Sequence, residues 1–105
     1  MDYKKFTEDL VKSRIAAEEA EKGEDGGSAN LDTLTIKLLR SREEKVKEAA
    51  MRAGLHASKI NWLGPRFFIY PPSCGQGNSR VRATREMEKV LKEAGYEVLM
   101  YERID

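Results

Sequence analysis

The 105 residues predict one α/β (α+β) domain, a four-stranded antiparallel sheet with two helices on one face, preceded by an additional N-terminal helix. Three observations carry that expectation. Helical apolar spacing recurs in three stretches, strand-like alternation in others, and Gly, Pro, Asn and Asp gather where one pattern gives way to the next. At this length a single core is expected, burying at most about two-thirds of the unfolded surface. Hydrophobic residues make up 40% and charged residues 35%, too apolar for wholesale disorder and charged enough for a solvated, helix-rich surface.

Taken in order, residues 1–22 read as an amphipathic helix. Tyr3, Phe6, Leu10, Ala17 and Ala20 fall near one face, with Val11 and Ile15 widening it. Gly23 stops it, and residues 23–30 are a Gly-, Asp-, Ser- and Asn-containing linker. Residues 31–105 form the single α/β domain. Leu31 to Leu39 suits either a helix or a strand. Ser41 and Glu44 have the spacing of a capping box, so a helix is expected to begin at Ser41, which leaves 32–39 as a strand. The helix from about Arg42 to Ala53 presents Val46, Ala49, Ala50 and Ala53 and stops at Gly54.

Lys59 to Trp62 reads as a short strand, Leu63 to Pro65 as a turn, and Arg66 to Tyr70 as the strongest strand of the chain. Pro71 and Pro72 end it, since neither can donate a ladder hydrogen bond. Asn78 or Ser79 caps a helix from Arg80 to Ala94 with Met87, Val90, Leu91 and Ala94 on its apolar face. Gly95 closes it, and Tyr96 to Ile104 alternates as a last strand. From the first strand onward this order matches the split βαβ sandwich of ferredoxin-like folds, with a right-handed crossover over each helix.

Charge and composition restrict the functional classes. Nineteen Lys and Arg against eighteen Asp and Glu leave a net charge of +1, so no global field draws the chain to phosphate backbones or anionic lipid. Nucleic-acid contact would require a local basic patch. One cysteine and one histidine allow no internal disulfide and no metal-ligand cluster of the usual spacing. No cofactor or metal is expected, and a reducing, cytoplasmic setting is. Charged Met1 to Lys5 lacks the form of a signal peptide, no apolar run approaches the ~20 residues of a membrane span, and no internal repeat is evident.

Cys74-Gly75-Gln76-Gly77-Asn78-Ser79-Arg80 has a cysteine and an arginine separated by five residues, between a predicted strand and a predicted helix. It resembles the phosphate-binding loop of the cysteine-dependent phosphatases and the related arsenate reductases. The resemblance implies Cys74 as thiolate nucleophile and Arg80 as bidentate phosphate ligand, with loop amides holding the anion. It covers seven residues. Ser73 stands where many members have histidine, Val81 where a hydroxyl residue is usual, and no aspartate occupies an obvious general-acid loop. The simpler reading makes Cys74 a small loop residue.

Arg80, Arg82 and Arg85 crowd the start of the last helix, where positive charge opposes the macrodipole. With Gly75, Gly77 and Asn78 they form a candidate anion- or partner-binding surface, set against ordinary pairing of Arg82 with Glu86 and Arg85 with Glu88. Phe67 and Ile69 face one side of the strongest strand and Phe68 and Tyr70 the other. That second aromatic face is expected to lie beneath the N-terminal helix; the alternative is a surface that stacks unpaired bases. Trp62 is a core anchor or an interface anchor, and His56 a surface residue.

The function expected from these residues is a small non-enzymatic interaction or regulatory protein that binds a protein or nucleoprotein partner, with no membrane role. Phage and mobile-element inhibitors of nucleic-acid-processing complexes, anti-CRISPR proteins among them, are similar in size and in lack of motifs. A phosphatase-like or phosphate-binding protein using Cys74 and Arg80, and a single-stranded nucleic-acid-binding module, stand as alternatives.

Overall fold

The computed structural model describes residues 1–20, 33–72 and 78–101. They form helix α1 (Tyr3–Ala20), strand β1 (Thr33–Lys37), helix α2 (Glu43–Arg52), strands β2 (His56–Asn61) and β3 (Pro65–Tyr70), helix α3 (Asn78–Glu93) and strand β4 (Glu97–Tyr101). The strands make one antiparallel sheet in the order β2-β3-β1-β4. β3 thus lies between β1 and β2, and β1 between β3 and β4, so the two βαβ units interleave. The linker at 23–30 and the last positions expected of the final strand lie outside the described residues.

Alternation assigns the two faces of the sheet. Leu34 and Ile36 of β1 pair in register with Ile69 and Phe67 of β3 and with Met100 and Val98 of β4. Leu34, Ile36, Phe67, Ile69 and Val98 are buried against Val46, Ala49, Ala50 and Ala53 of the α2 segment and Ala83, Met87 and Leu91 of α3. The small residues of α2 let its backbone come close to the sheet. Each fully buried Leu or Ile contributes roughly 1.5–3 kcal/mol relative to exposure.

Both crossover helices end the same way. After α2, Gly54 takes φ +79° while its N–H bonds to the Met51 carbonyl (3.0 Å) and that of Leu55 to the Ala50 carbonyl (2.8 Å). After α3, Gly95 and Tyr96 bond to the Lys92 and Leu91 carbonyls, both at 3.0 Å. This is the Schellman arrangement. It delivers Leu55 into the core and Tyr96 toward α1.

The start of α2 differs from the capping-box expectation. Its N-cap is Arg42, with no side-chain cap bond. Arg40 takes φ +57°, and the Ser41 hydroxyl donates back to the Leu38 carbonyl at 2.8 Å. The Arg42 N–H instead donates to the Tyr3 hydroxyl of α1 at 2.8 Å. A tertiary partner therefore replaces the local one.

α1 also packs differently from expectation. It lies along α3 and against α2, on the helical side of the molecule, and not across the second face of the sheet. Phe6, Leu10 and Ala17 join the common core, Asp9 and Ser13 are buried with them, and Ile15 points outward, 56% exposed. Two arginines fasten the helix. Arg14 Nε donates to the Ala53 carbonyl at 2.7 Å, and Arg82 Nε of α3 donates to the Ala20 carbonyl at 2.9 Å. The Arg14 side chain crosses Gly54 so closely that a Cβ there would meet Arg14 Cδ at 3.2 Å.

Asp9 is the polar clasp between α1 and Tyr96, the residue that leads into β4. Its Oδ2 accepts from Lys5 Nζ and from the Tyr96 hydroxyl, both at 2.7 Å, while the Phe6 and Tyr96 rings meet edge to face at 5.6 Å. Burial alone would raise the Asp9 carboxyl, but the bonds from Lys5 and Tyr96 outweigh it and hold the group below its ordinary 3.8. Burial and Asp9 push the Tyr96 phenol upward. A depressed folded-state carboxyl stabilises above the unfolded value and loses that contribution as pH falls through the folded one. Tyr96→Phe should therefore cost about 1–3 kcal/mol at neutral pH. Urea titrations should show the gap between wild type and variant narrowing below pH 3.8; equal stability at neutral pH would mean the clasp contributes nothing.

Candidate nucleic-acid interface

With α1 on the helical side, no helix among the described residues lies over the second face of the sheet. Strand alternation places three rows of side chains there. Thr33, Tyr70 and Tyr101 form one end, Thr35, Phe68 and Leu99 the middle, and Lys37, Arg66 and Glu97 the other end. Ser58 and Ile60 extend the middle and far rows onto β2, opposite Phe68 and Arg66.

The rings on this face touch one another. Trp62, in the β2–β3 turn, meets Tyr101 of β4 edge to face at 5.0 Å; Tyr101 meets Phe68 at 5.5 Å, and Phe68 meets Tyr70 at 5.8 Å. All four are partly exposed, and Leu99 beside them is 40% exposed. The turn that sends Trp62 over the sheet is built on Leu63 (φ +54°) and Gly64 (φ +97°), with the Trp62 N–H bonded to the Gly64 carbonyl at 3.0 Å. Leu63 bears a conformation that costs an L-residue roughly 1–2 kcal/mol.

Polar groups stiffen the floor beneath the rings. The Thr35 hydroxyl, fully buried, donates to the Leu99 carbonyl at 2.6 Å. Arg80 Nη2 reaches from α3 to the Thr33 hydroxyl at 3.1 Å, bringing positive charge to the Tyr70–Tyr101 end. At the opposite end Arg66 is 8% exposed, and its Nε and Nη1 make no hydrogen bond. Arg66 Nη2 and Lys37 Nζ both stand 3.9 Å from Glu97 Oε2, beyond hydrogen-bonding distance.

The residues singled out in the sequence are distributed as follows. Cys74, Gly75 and Gly77 lie outside the described residues, and Asn78 opens α3. Arg80 and Arg82 extend to Thr33 and to the Ala20 carbonyl, so they tie α3 to β1 and to α1; Arg85 is exposed on the first half of α3. His56 is exposed at the start of β2. Lys37, Arg66 and Glu97 were not among the candidates. Arg66 shares strand parity with Phe68 and Tyr70, which is the signal that places it on their face.

The face can do two things chemically. Ring surfaces offer stacking platforms for planar groups, and cations at either end attract anions. Among the described residues no group of three or more His, Cys, Asp or Glu is arranged to hold a metal ion, and no helix is long and apolar enough to cross a membrane. No protein-family model matches the chain, and comparisons with curated proteins and solved structures find no significant match.

Tyr101 is an inner member of the ring series, touching Trp62 on one side and Phe68 on the other. Tyr101→Ala removes its contacts with both Trp62 and Phe68, and at about 0.5–1.5 kcal/mol for each edge-to-face pair it should cost roughly 1–3 kcal/mol. Trp62 is the sole tryptophan, so its emission should shift to the red in this variant. An unchanged spectrum and melting temperature would show that the rings do not support one another.

Proposed function

We propose that this chain is a non-enzymatic binding module that takes single-stranded nucleic acid on the open face of its sheet. The observation that carries the reading is the connected set Trp62, Tyr101, Phe68 and Tyr70 on a sheet face that no helix covers among the described residues. Unpaired bases stack on such rings whatever their sequence, and cations at the rim meet the backbone. Arg80 stands at one end of this array and Arg66 with Lys37 at the other.

The net charge of +1 fits a contact led by stacking, with few phosphates neutralised. Affinity should then fall gently with salt, with a slope near −0.7 for each phosphate engaged on a single strand. The earlier expectation of a partner bound through the basic start of α3 has weaker support, because Arg82 is tied to the Ala20 carbonyl and Arg80 reaches away from the helix to Thr33, at the end of the aromatic face. The phosphatase-like reading gains none from the described residues, which do not include Cys74. Occupying a single strand is one physical route by which a small cytoplasmic protein regulates or inhibits a nucleic-acid-processing complex.

Fluorescence anisotropy with a labelled oligothymidylate and an oligouridylate at low salt tests the reading. Binding is expected, with quenching of Trp62 emission. Phe68→Ala and Tyr70→Ala should each weaken it by the ~1–3 kcal/mol of one stacked base, about 5- to 150-fold. Absence of binding to either strand at low salt, with the protein folded, overturns the proposal. So does binding that both alanine variants leave untouched.

A further inference from the structure

Arg66 is the one feature of the open face that its surroundings do not explain. A guanidinium carries five donors and keeps its charge at any accessible pH. Here its side chain is more than nine-tenths buried, with Nε and Nη1 unbonded. Native structures rarely leave such groups without a partner, because their desolvation is uncompensated. The nearest carboxylate, Glu97, is 64% exposed and stands 3.9 Å from Arg66 Nη2 and 3.9 Å from Lys37 Nζ. It balances two cations at once and hydrogen-bonds neither.

Those three residues occupy one row of the sheet. Lys37 pairs in register with Glu97, and Arg66 follows one step beyond the Ile36–Phe67 pair. We infer that Arg66 and Lys37 form a phosphate-binding site at this end of the face, and that Glu97 occupies it as a displaceable stand-in until a phosphate arrives. A phosphate group brings several strong acceptor oxygens to the edge of the guanidinium that carries Nη2 and to a flexible ammonium, where the carboxylate now offers one oxygen at a distance. Arg66 holds the site in place, since its chain is fixed by burial, and Lys37, 40% exposed, closes on the ligand. The source assigned to the phosphate, a backbone phosphodiester of a strand stacked on the neighbouring rings, rests on the function proposed above.

The substitutions have opposite signs, which makes the site testable. Glu97→Gln removes the competitor and should tighten oligothymidylate binding several-fold. Arg66→Gln should weaken it about tenfold or more, in line with loss of a charge-assisted bond. Lys37→Gln should lower the salt slope by about 0.7. Glu97 is exposed, so its variant is expected to fold, and thermal melts check the Arg66 variant. In parallel, the Arg66 Nε–H resonance is followed by NMR while inorganic pyrophosphate is added. A saturable shift, larger in Glu97→Gln, is expected.

If the strand binds and is lost in Phe68→Ala, yet neither Glu97→Gln nor Arg66→Gln changes affinity, the phosphate site is wrong and the stacking surface stands. If no strand binds, the proposed function fails, and the pyrophosphate titration alone decides the site: a saturable Arg66 shift upholds it and an unmoved resonance overturns it.

Discussion

The position of α1 governs what the rest of the molecule can present. Phe6, Leu10 and Ala17 enter the core shared by α2, α3 and the sheet, and Arg14 and Arg82 lock the helix at the Ala53 and Ala20 carbonyls. Had its apolar stripe lain across the other face, Phe68, Tyr70 and Tyr101 would have been ordinary core residues. Because it lies with the other helices, one face of the sheet is covered by α2 and α3 with α1 packed against both, and the other is closed only by its own side chains among the described residues. The Asp9 clasp reinforces the choice by joining α1 to the residue that leads into β4.

The second face is organised without being covered. Tyr101 meets both Trp62 and Phe68 edge to face, the arrangement favoured by the ring quadrupole, so each restricts the rotamers of the next. A surface held in this way gives up little conformational freedom when a planar ligand docks, which is where much of the affinity of a preorganised site comes from. The buried Thr35 hydroxyl bound to Leu99 and the Thr33 hydroxyl held by Arg80 keep the strands beneath in register.

Much of this fold was legible in the sequence because it follows from periodicity. The alternation of Arg66 to Tyr70, the glycine stops at 54 and 95, and the apolar face of α3 all have local physical causes. The failures are tertiary. Ser41 and Glu44 have capping-box spacing, but Arg40 turns the chain so that the Ser41 hydroxyl meets Leu38 and Tyr3 takes over near the helix start. Ile15 matches the helical stripe yet faces outward, while Ser13 and Asp9 are buried, because the inner face of α1 is set by α3 and by Tyr96. At the candidate site, period-two spacing placed Phe68 and Tyr70 together, but not the reach of Trp62 to Tyr101, two distant positions joined by the sheet order. Arg66 went unremarked because nothing local distinguishes a buried arginine in an aromatic strand from an exposed one.

The strand order has a consequence for how the protein is made. β1 is the earliest strand in the chain, yet it sits in the middle of the sheet, bonded on one side to β3 and on the other to β4. During synthesis its two edges must wait for segments that leave the ribosome much later. Pairings of such long sequence separation close slowly, and unpaired apolar strand edges are open to aggregation until they do. Thr33 to Ile36, buried in the finished molecule, spend that interval without a template on either side. The aromatic face, which draws Trp62 from the β2–β3 hairpin and Tyr101 from β4, therefore cannot be complete before β4 has joined β1, and a nascent chain acquires its candidate binding surface only with the closing of its sheet.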